Sequence, residues 1–188
     1  MLTYKNPKAK PCEVCQNLFV PDRMGQVVCR PACAMKKVRQ EKVQERAKVR
    51  TRKEAIKTIP ALIKEAQREF NAYIRERDAG KPCICCGRTQ EDGYGTAAHG
   101  WDCGHYRSTG SASHLRFNED NAHRQLVICN RHGAGRAVDY RRGLINRIGL
   151  ERVEALEASN APHKWTHEEL RAIRDTYRAK LKEMKSEK

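Results

Sequence analysis

The sequence has few of the residues that build a large hydrophobic core. Aromatic residues make up 6% of its 188 residues and hydrophobic residues 39%, whereas 32% are charged. Cores this small usually need a second constraint, such as disulfides or bound metal. No uninterrupted apolar run exceeds four residues, which excludes a transmembrane helix. The first residues, MLTYKNPKAKPC, contain no apolar stretch, which argues against a secretory signal and favours a cytoplasmic protein that does not contact a membrane.

The nine cysteines are expected to be metal ligands, because nothing in the sequence directs the chain to an oxidising compartment. Cys12-x2-Cys15 and Cys29-x3-Cys33 are two close pairs separated by thirteen residues. Two such pairs let one tetrahedral zinc ion join two turns of the chain. We therefore predict a structural zinc finger in which these four thiolates leave no open coordination position.

The chain is short of acidic residues, with 23 Asp and Glu against 38 Lys and Arg, a net charge of +15. Such an excess attracts polyanions, and nucleic acid is the commonest of these inside cells. From Lys36 to Lys57 there are ten basic and three acidic residues and no Gly or Pro. This stretch is either a solvated helix or linker, or an arm that contacts phosphates. The residues predicted to contact nucleic acid here are Lys36, Lys37, Arg39, Lys42 and Arg46.

The hydrophobic pattern predicts a mainly helical chain. Apolar residues recur at helical spacing between Pro60 and Gly80 and again up to Gly149. Thr166 and Glu169 form a capping box that begins a last helix, whose apolar stripe packs internally or forms a dimer contact. The predicted segments are a zinc finger at 1–35, a basic linker with an amphipathic helix at 36–80, a metal-braced core at 81–149 and a helical tail at 150–188.

The segment 81–149 contains the other five cysteines and five of the seven histidines. A Cys83-Ile-Cys85-Cys86 knuckle precedes a short strand that carries His105, then a polar loop, and then Cys129 at the start of a helix. This order suits a zinc-braced ββα hairpin that holds a second, hard cation through oxygen and imidazole ligands. Asp102, His105, Asn130 and His123 are the available groups.

Such a site suits phosphodiester hydrolysis. An imidazole with a pKa near 6.5 can deprotonate water at physiological pH, and a Mg²⁺-type cation can neutralise charge on the leaving oxygen. The alternative is a non-catalytic zinc module, in which the histidines are zinc ligands or surface residues and the chain only binds branched or single-stranded nucleic acid.

The stretch PCICCG … WDCGHYRSTGSASHLRFNEDNAHRQLVICNRH … YRRGLINRIG closely resembles the phage NinG (Rap) recombination proteins. The resemblance extends over nearly the whole chain, including FNAYIRERD and HKWTHEELRAI. It implies a mainly α protein with a small zinc-braced ββα-metal core of the HNH-like, treble-clef type. It also implies a structure-specific endonuclease that cuts Holliday junctions and D-loops during phage recombination. Because resolving a junction takes two cuts, we expect a homodimer, and other recombination proteins are its expected partners.

The resemblance also implies roles for single residues. His105 matches the general base, and Asp102 and Asn130 match the positions that hold the catalytic Mg²⁺ or Mn²⁺. Asn121 and His123 match the polar N-x-H part of the motif, in which Asn121 braces the loop. The positions that match structural-zinc ligands are Cys83, Cys86 and Cys129. Additional DNA contacts are expected from Arg107, Arg116, Arg131 and Arg136.

The sequence departs from the family pattern at two places. Leu126 stands where a cysteine is expected, so the second zinc lacks one ligand. His132 is the preferred substitute, Cys85 and Cys103 are alternatives, and the remaining alternative is a zinc that is loosely bound or absent. Gly135-Arg136 stands where Gly-Asn is expected. Arg136 adds a positive charge that either contacts DNA or weakens the binding of a metal ion.

Overall fold

The computed structural model describes residues 8–89, 91–92 and 100–187, which are mostly helical with two small antiparallel sheets. The chain forms two compact units, Met1–Lys57 and Thr58–Lys188. The boundary lies inside the segment 36–80, and the tail at 150–188 belongs to the same unit as the metal-braced core. Among the described helices, none combines the length and the apolarity that a bilayer span requires.

The first unit has almost no hydrophobic core. Two short strands, β1 (Lys10–Pro11) and β2 (Leu18–Phe19), pair in an antiparallel ladder and are followed by helix α1 (Pro31–Ala55). Proline suits the first turn of a helix because the amide hydrogen that it lacks would have no partner there. Cys33 is the one buried residue of α1. The other residues of this long basic helix are exposed or half-buried, which fits both a solvated helix and an arm that contacts phosphates.

The second unit has a core between its helices and a β-hairpin. Its helices are α2 (Ile59–Arg77), α3 (Ala137–Ile148), α4 (Leu150–Ala158) and α5 (His167–Ser186). The apolar stripe of α2 packs against α5, where the rings of Phe70 and Tyr177 meet edge to face with centroids 4.8 Å apart. The α5 stripe therefore packs internally in this chain. The capping box of Thr166 and Glu169 is confirmed.

The hairpin of the second unit is built from β3 (Trp101–His105) and β4 (Ala122–Leu126). The two strands are antiparallel, with His105 opposite Ala122 and Asp102 opposite Gln125. A π-helical turn at Ile128–His132 and a 3₁₀ turn at Ala134–Arg136 connect β4 to α3. The order β-β-α expected for this region is therefore present.

Helix α3 packs closely on the segment that contains the second cysteine knuckle. A Cβ atom on Gly143 would lie 1.8 Å from the carbonyl oxygen of Ile84, so this position admits only glycine without a backbone shift. Ile84, Tyr140 and Leu144 form part of a second buried cluster beside this contact. The knuckle is thus fixed to the helix that follows the hairpin.

Candidate functional site

The four cysteines of the first unit form one thiol group. The sulfur atoms of Cys12, Cys15, Cys29 and Cys33 all lie within 4.8 Å of one another. The Cys15–Cys29 and Cys29–Cys33 sulfur distances are 3.5 and 3.8 Å. Four sulfurs at about 2.3 Å from a tetrahedral zinc ion would be about 3.8 Å apart. The first thiol group therefore fits a zinc ion.

The second thiol group contains Cys83, Cys85, Cys86 and Cys129, whose sulfur atoms also lie within 4.8 Å of one another. The sulfurs of Cys83 and Cys85 are 3.6 Å apart. His132, the preferred fourth ligand of the sequence analysis, is exposed and is not a member of this group. The alternative ligand Cys85 takes that place. The turn of the knuckle brings its thiol close to those of Cys83 and Cys86 in the same segment.

The remaining cysteine, Cys103, belongs to the core and not to either thiol group. It is buried on β3 in the cluster that contains Phe70 and Ala122. Burial raises the pKa of its thiol to about 12. Cys103 is therefore a protonated core residue, and all nine cysteines have a position that the packing explains.

Hydrogen bonds favour a thiolate at Cys83. The Cys83 and Cys85 sulfurs are within hydrogen-bond distance of each other, and the backbone N–H of Leu126 lies 3.3 Å from the Cys83 sulfur. These bonds outweigh burial and lower the pKa of Cys83 to about 4. Zinc binds cysteine as the thiolate. The hydrogen bond with Cys83, together with burial, raises the pKa of Cys85, so a zinc ion would have to displace the proton of this thiol. With four thiolate ligands, either group would be a closed site that braces the chain and leaves no position for a substrate.

On the hairpin, the side chains of Asp102 and His105 point to opposite faces. They lie three positions apart on β3, and side chains alternate between the faces of a strand. Their Cα atoms are separated by about 10 Å along the strand. His105 lies on the face that packs against α2, and Asp102 lies on the face that contacts the turns before α3. The structure does not bring these two residues to one point.

Asp102 contacts two residues of the π-helical turn. Its Oδ2 atom accepts a hydrogen bond of 3.0 Å from the amide of Asn130, and its two oxygens accept bonds of 2.8 and 2.9 Å from the guanidinium of Arg131. Although burial raises it, the pKa of Asp102 is lowered overall by these two neighbours. Asp102 and Asn130, the predicted ligands of a catalytic cation, therefore do meet. Within the described residues, however, three or more His, Cys, Asp or Glu ligands converge only at the two thiol groups.

His105 is oriented by a backbone carbonyl. Its Nε2 atom lies 3.0 Å from the carbonyl oxygen of Arg116, and its ring packs beside the ring of Phe70. Since a carbonyl oxygen only accepts hydrogen bonds, Nε2 carries the hydrogen and a neutral ring has its lone pair on Nδ1. Burial, together with the nearby charge of Arg116, lowers the pKa of His105. The imidazole is thus held in its neutral form, with one tautomer selected.

Asn121 braces the loop between the two strands. Its buried amide donates to the carbonyl oxygens of Arg107 and Leu115, at 3.0 and 3.1 Å, and its Oδ1 atom accepts from the N–H of Arg107. His123, in contrast, is 3% exposed and packs against the ring of Tyr140. Burial lowers the pKa of His123 to about 3. The structure places His123 inside the second unit, and its catalytic role stays a prediction of the resemblance.

Two of the arginines predicted to contact DNA have structural partners. The guanidinium of Arg107 donates to carbonyl oxygens at the end of α4, including that of Leu156 at 2.9 Å, so it caps this helix. Arg116 donates to Gln67 and to the carbonyl of Thr109. Both side chains are half-buried, and no local sequence pattern distinguishes such an arginine from a fully exposed one.

The other predicted DNA contacts have fewer constraints. Arg136 is exposed, and Arg131 is exposed although it pairs with Asp102. On α1, Lys37 forms ion pairs with Glu13 and Glu41. The other predicted contacts on α1, at Lys36, Arg39, Lys42 and Arg46, are exposed. These positions remain predictions of DNA contact.

Two residues near the hairpin were missed by the sequence analysis. Arg75 on α2 lies close enough to Asp102 for its charge to lower the pKa of that carboxyl further. Gln125, opposite Asp102 on β4, is buried and contacts the second thiol group. Because side chains alternate between the two faces of β4, the sequence could have placed Gln125 on the same face as Asp102. Its hydrogen-bond partners could not be predicted, because they lie forty and ten positions away in the sequence.

The comparisons with known proteins give one consistent result. Residues 4–187 match the family model described as "Bacteriophage Lambda NinG protein". The chain is 40% identical to "Protein ninG" of Escherichia phage 933W, with 96% of each chain covered. It is also 40% identical to the proteins of that name from Escherichia phage lambda, covering 92% of this chain and 90% of the relative, and Salmonella phage P22, covering 92% and 91%. No solved structure matches this chain. The family match over almost the whole length shows that the chain belongs to the NinG family.

Proposed function

We propose that this NinG family protein is a metal-dependent endonuclease of the HNH type that cuts branched DNA, such as Holliday junctions and D-loops, in phage recombination. The observation that carries the proposal is the setting of His105. The carbonyl of Arg116 fixes Nε2 as the donor, and burial keeps the ring neutral. Its Nδ1 atom is therefore a base that can take a proton from water at physiological pH.

Asp102 and the amide oxygen of Asn130 would hold Mg²⁺ or Mn²⁺, since such hard cations prefer oxygen ligands. A cation bound there would supply positive charge for the phosphate and for the leaving oxygen. In the structure both oxygens of Asp102 accept hydrogen bonds from Arg131. Binding of a cation requires this guanidinium to turn away, which frees an exposed arginine for a neighbouring phosphate.

Positive charge supports binding of a branched substrate. The chain carries +15, and α1 exposes a long row of basic side chains. Contacts to phosphates position a protein on DNA without reading its sequence, so selectivity for branches would come from backbone geometry.

Because a junction is resolved by two cuts, we also propose a homodimer. Sedimentation should give twice the chain mass, and a monomer at all protein and salt concentrations would contradict the dimer.

One observation favours a second candidate, a non-catalytic zinc module that binds branched or single-stranded nucleic acid. Asp102 and His105 lie on opposite faces of β3, and Asp102 has a basic partner in Arg131. Binding needs only the basic helix and the two thiol groups. In this case, His105 is a half-buried histidine with a satisfied hydrogen bond.

Cleavage of a synthetic four-way junction in Mg²⁺ or Mn²⁺ separates the two candidates. For the enzyme, His105→Ala should lower the cleavage rate by about 10²–10⁴-fold while junction binding is retained. His132→Ala, the same change at an exposed histidine outside both thiol groups, is the matched control and should cut normally. If the wild-type protein binds the junction but does not cut it, or if His105→Ala cuts equally fast, the enzyme proposal is wrong. An unbranched duplex tests for a sequence-specific nuclease, which would cut it at one site.

A further inference from the structure

A single buried amide side chain touches both the second thiol group and the turn before α3. Gln125 is 1% exposed, and its Nε2 atom lies 3.4 Å from the sulfur of Cys85 and 2.9 Å from the carbonyl oxygen of Gly135. An amide nitrogen carries two hydrogens, so it can donate to both acceptors at once. Gln125 therefore bridges two segments that are about fifty residues apart in the sequence.

The path of this side chain depends on a glycine in the opposite strand. A Cβ atom on Gly104 would lie 2.0 Å from Oε1 of Gln125 and 3.0 Å from its Cβ. The side chain thus crosses β3 at the one position that has no side chain of its own. Any other residue at position 104 would push the amide away from Cys85 and Gly135.

The turn that receives the second hydrogen bond has an unusual backbone. Ala134, Gly135 and Arg136 have φ angles of 50°, 76° and 49°. This left-handed region is disfavoured for Ala and Arg, because their Cβ atoms approach the following carbonyl oxygen. Such a conformation persists only where the surrounding structure holds it. The hydrogen bond from Gln125 to Gly135 is one of the contacts that hold it, and the exposed Arg136 lies at the end of the turn.

We propose that Gln125 is a positioning residue that couples metal binding at the second thiol group to the conformation of the turn Ala134–Arg136. Metal-bound sulfur remains a thiolate, and hydrogen bonds to a charged acceptor are stronger than those to a neutral one. The amide is then fixed with its other hydrogen directed at Gly135. The metal ion at the second thiol group therefore determines the position of the exposed Arg136 side chain at the end of the turn. This inference rests on zinc binding and not on cleavage, so it can stand if the proposed enzyme activity fails.

Release of metal from the full-length protein tests the first half of the coupling. A chelator titration of the zinc-loaded chain should show two release steps, and Cys129→Ser identifies the step that belongs to the second thiol group. Gln125→Leu should weaken this step by about 10–100-fold, the usual effect of losing a residue that supports a ligand. The step of the first thiol group is an internal control and should not move. Gln67→Leu, the same change at an amide that contacts Asn71 and Arg116, should move neither step.

Two further variants separate the loss of the hydrogen bonds from a general loss of folding. Gln125→Glu keeps the shape of the side chain but places a carboxylate oxygen against Cys85 and Gly135, so it should weaken metal binding at least as much as Gln125→Leu. Gly104→Ala leaves Gln125 unchanged and displaces it, so it should weaken the same release step. If the second release step is the same in wild type and in all three variants, the proposal is overturned.

Hydrogen exchange at the Arg136 amide tests the second half. This N–H donates to the carbonyl of Gly133 at 3.1 Å, so it reports the closed turn. In the wild type, removal of zinc should accelerate its exchange while the amides of α2 stay protected. In zinc-loaded Gln125→Leu, exchange should already be as fast as in the metal-free wild type. Equal exchange in zinc-loaded and metal-free wild type would overturn the coupling, as would a weakened release step without any change at Arg136.

Discussion

The two thiol groups have the same ligands but very different surroundings. In the described part of the first unit, only Cys12, Pro21 and Cys33 are buried, so two of the three buried residues are ligands themselves. The second thiol group lies beside Leu126 and next to the hairpin, and the same unit contains two further buried clusters. A metal ion bound in the first unit would therefore stand in for a hydrophobic core, whereas one bound in the second would join parts of a fold that has its own core.

The largest expected effect is the loss of one ligand from each group. Cys29→Ser should unfold residues 10–33, because metal binding in small fingers contributes about 10–16 kcal/mol of apparent folding free energy. Cys129→Ser should leave the packing of α2 against α5 intact. Amide exchange measures the first unit, and fluorescence of Trp101 and Trp165 measures the unfolding of the second. Retained amide protection in Cys29→Ser, or loss of cooperative unfolding in Cys129→Ser, would remove the contrast.

The next effect concerns the fourth ligand of the second group. Cys85→Ser should lower the affinity of the second thiol group for zinc by more than ~100-fold. Loss of a residue that only supports a ligand costs up to about 100-fold, and this change removes a ligand itself. His132→Ala should bind two zinc ions as tightly as the wild type, since His132 is exposed and outside the group. Metal analysis during a chelator titration measures both. The reverse pattern would restore His132 as the ligand.

A smaller effect is a pH dependence confined to the second unit. Burial lowers the pKa of His123 to about 3, whereas an unfolded histidine titrates near its ordinary value of 6.5. The unfolded chain therefore binds an extra proton below pH 6.5, and the stability that the neutral ring provides is lost as the pH falls from 6.5 toward 3. The free energy of unfolding should decrease by about 1.4 kcal/mol per pH unit in this window.

Urea unfolding followed by tryptophan fluorescence at several pH values measures this slope. His123→Leu should have a smaller slope than the wild type, and His132→Leu, at an exposed position, should keep it. Equal slopes for His123→Leu and wild type would show that the ring is not buried in its neutral form.

The smallest effect separates the units in DNA binding. If α1 contacts phosphates, Arg46→Ala should reduce the slope of log binding constant against log salt by about 0.9, the value for one phosphate contact on duplex DNA. Lys182→Ala, an exposed basic residue of α5, is the matched control and should leave the slope unchanged. Equal changes for both variants would mean that the total charge of the chain decides binding.

Much of the local structure was predictable from short patterns. The spacing of Cys12, Cys15, Cys29 and Cys33 predicted the first thiol group, and the Thr166 capping box predicted the start of α5. The end of a helix at Gly149 was predicted as well, and this residue has a φ of 86°, which glycine adopts easily. These features depend on residues that are close in sequence, so their chemistry can be read along the chain.

The sequence by itself determined which elements form, the presence of two cysteine groups, the strong positive charge and, through its resemblance, the NinG family. Only the tertiary structure decided that Cys85 and not His132 joins the second thiol group, that His123 is buried, and that Arg107 caps a helix. These outcomes depend on contacts between residues that are distant in sequence. Which thiol, imidazole or guanidinium reaches a given point is set by how α2, the hairpin and α3 pack, and packing is a property of the whole unit rather than of a local pattern.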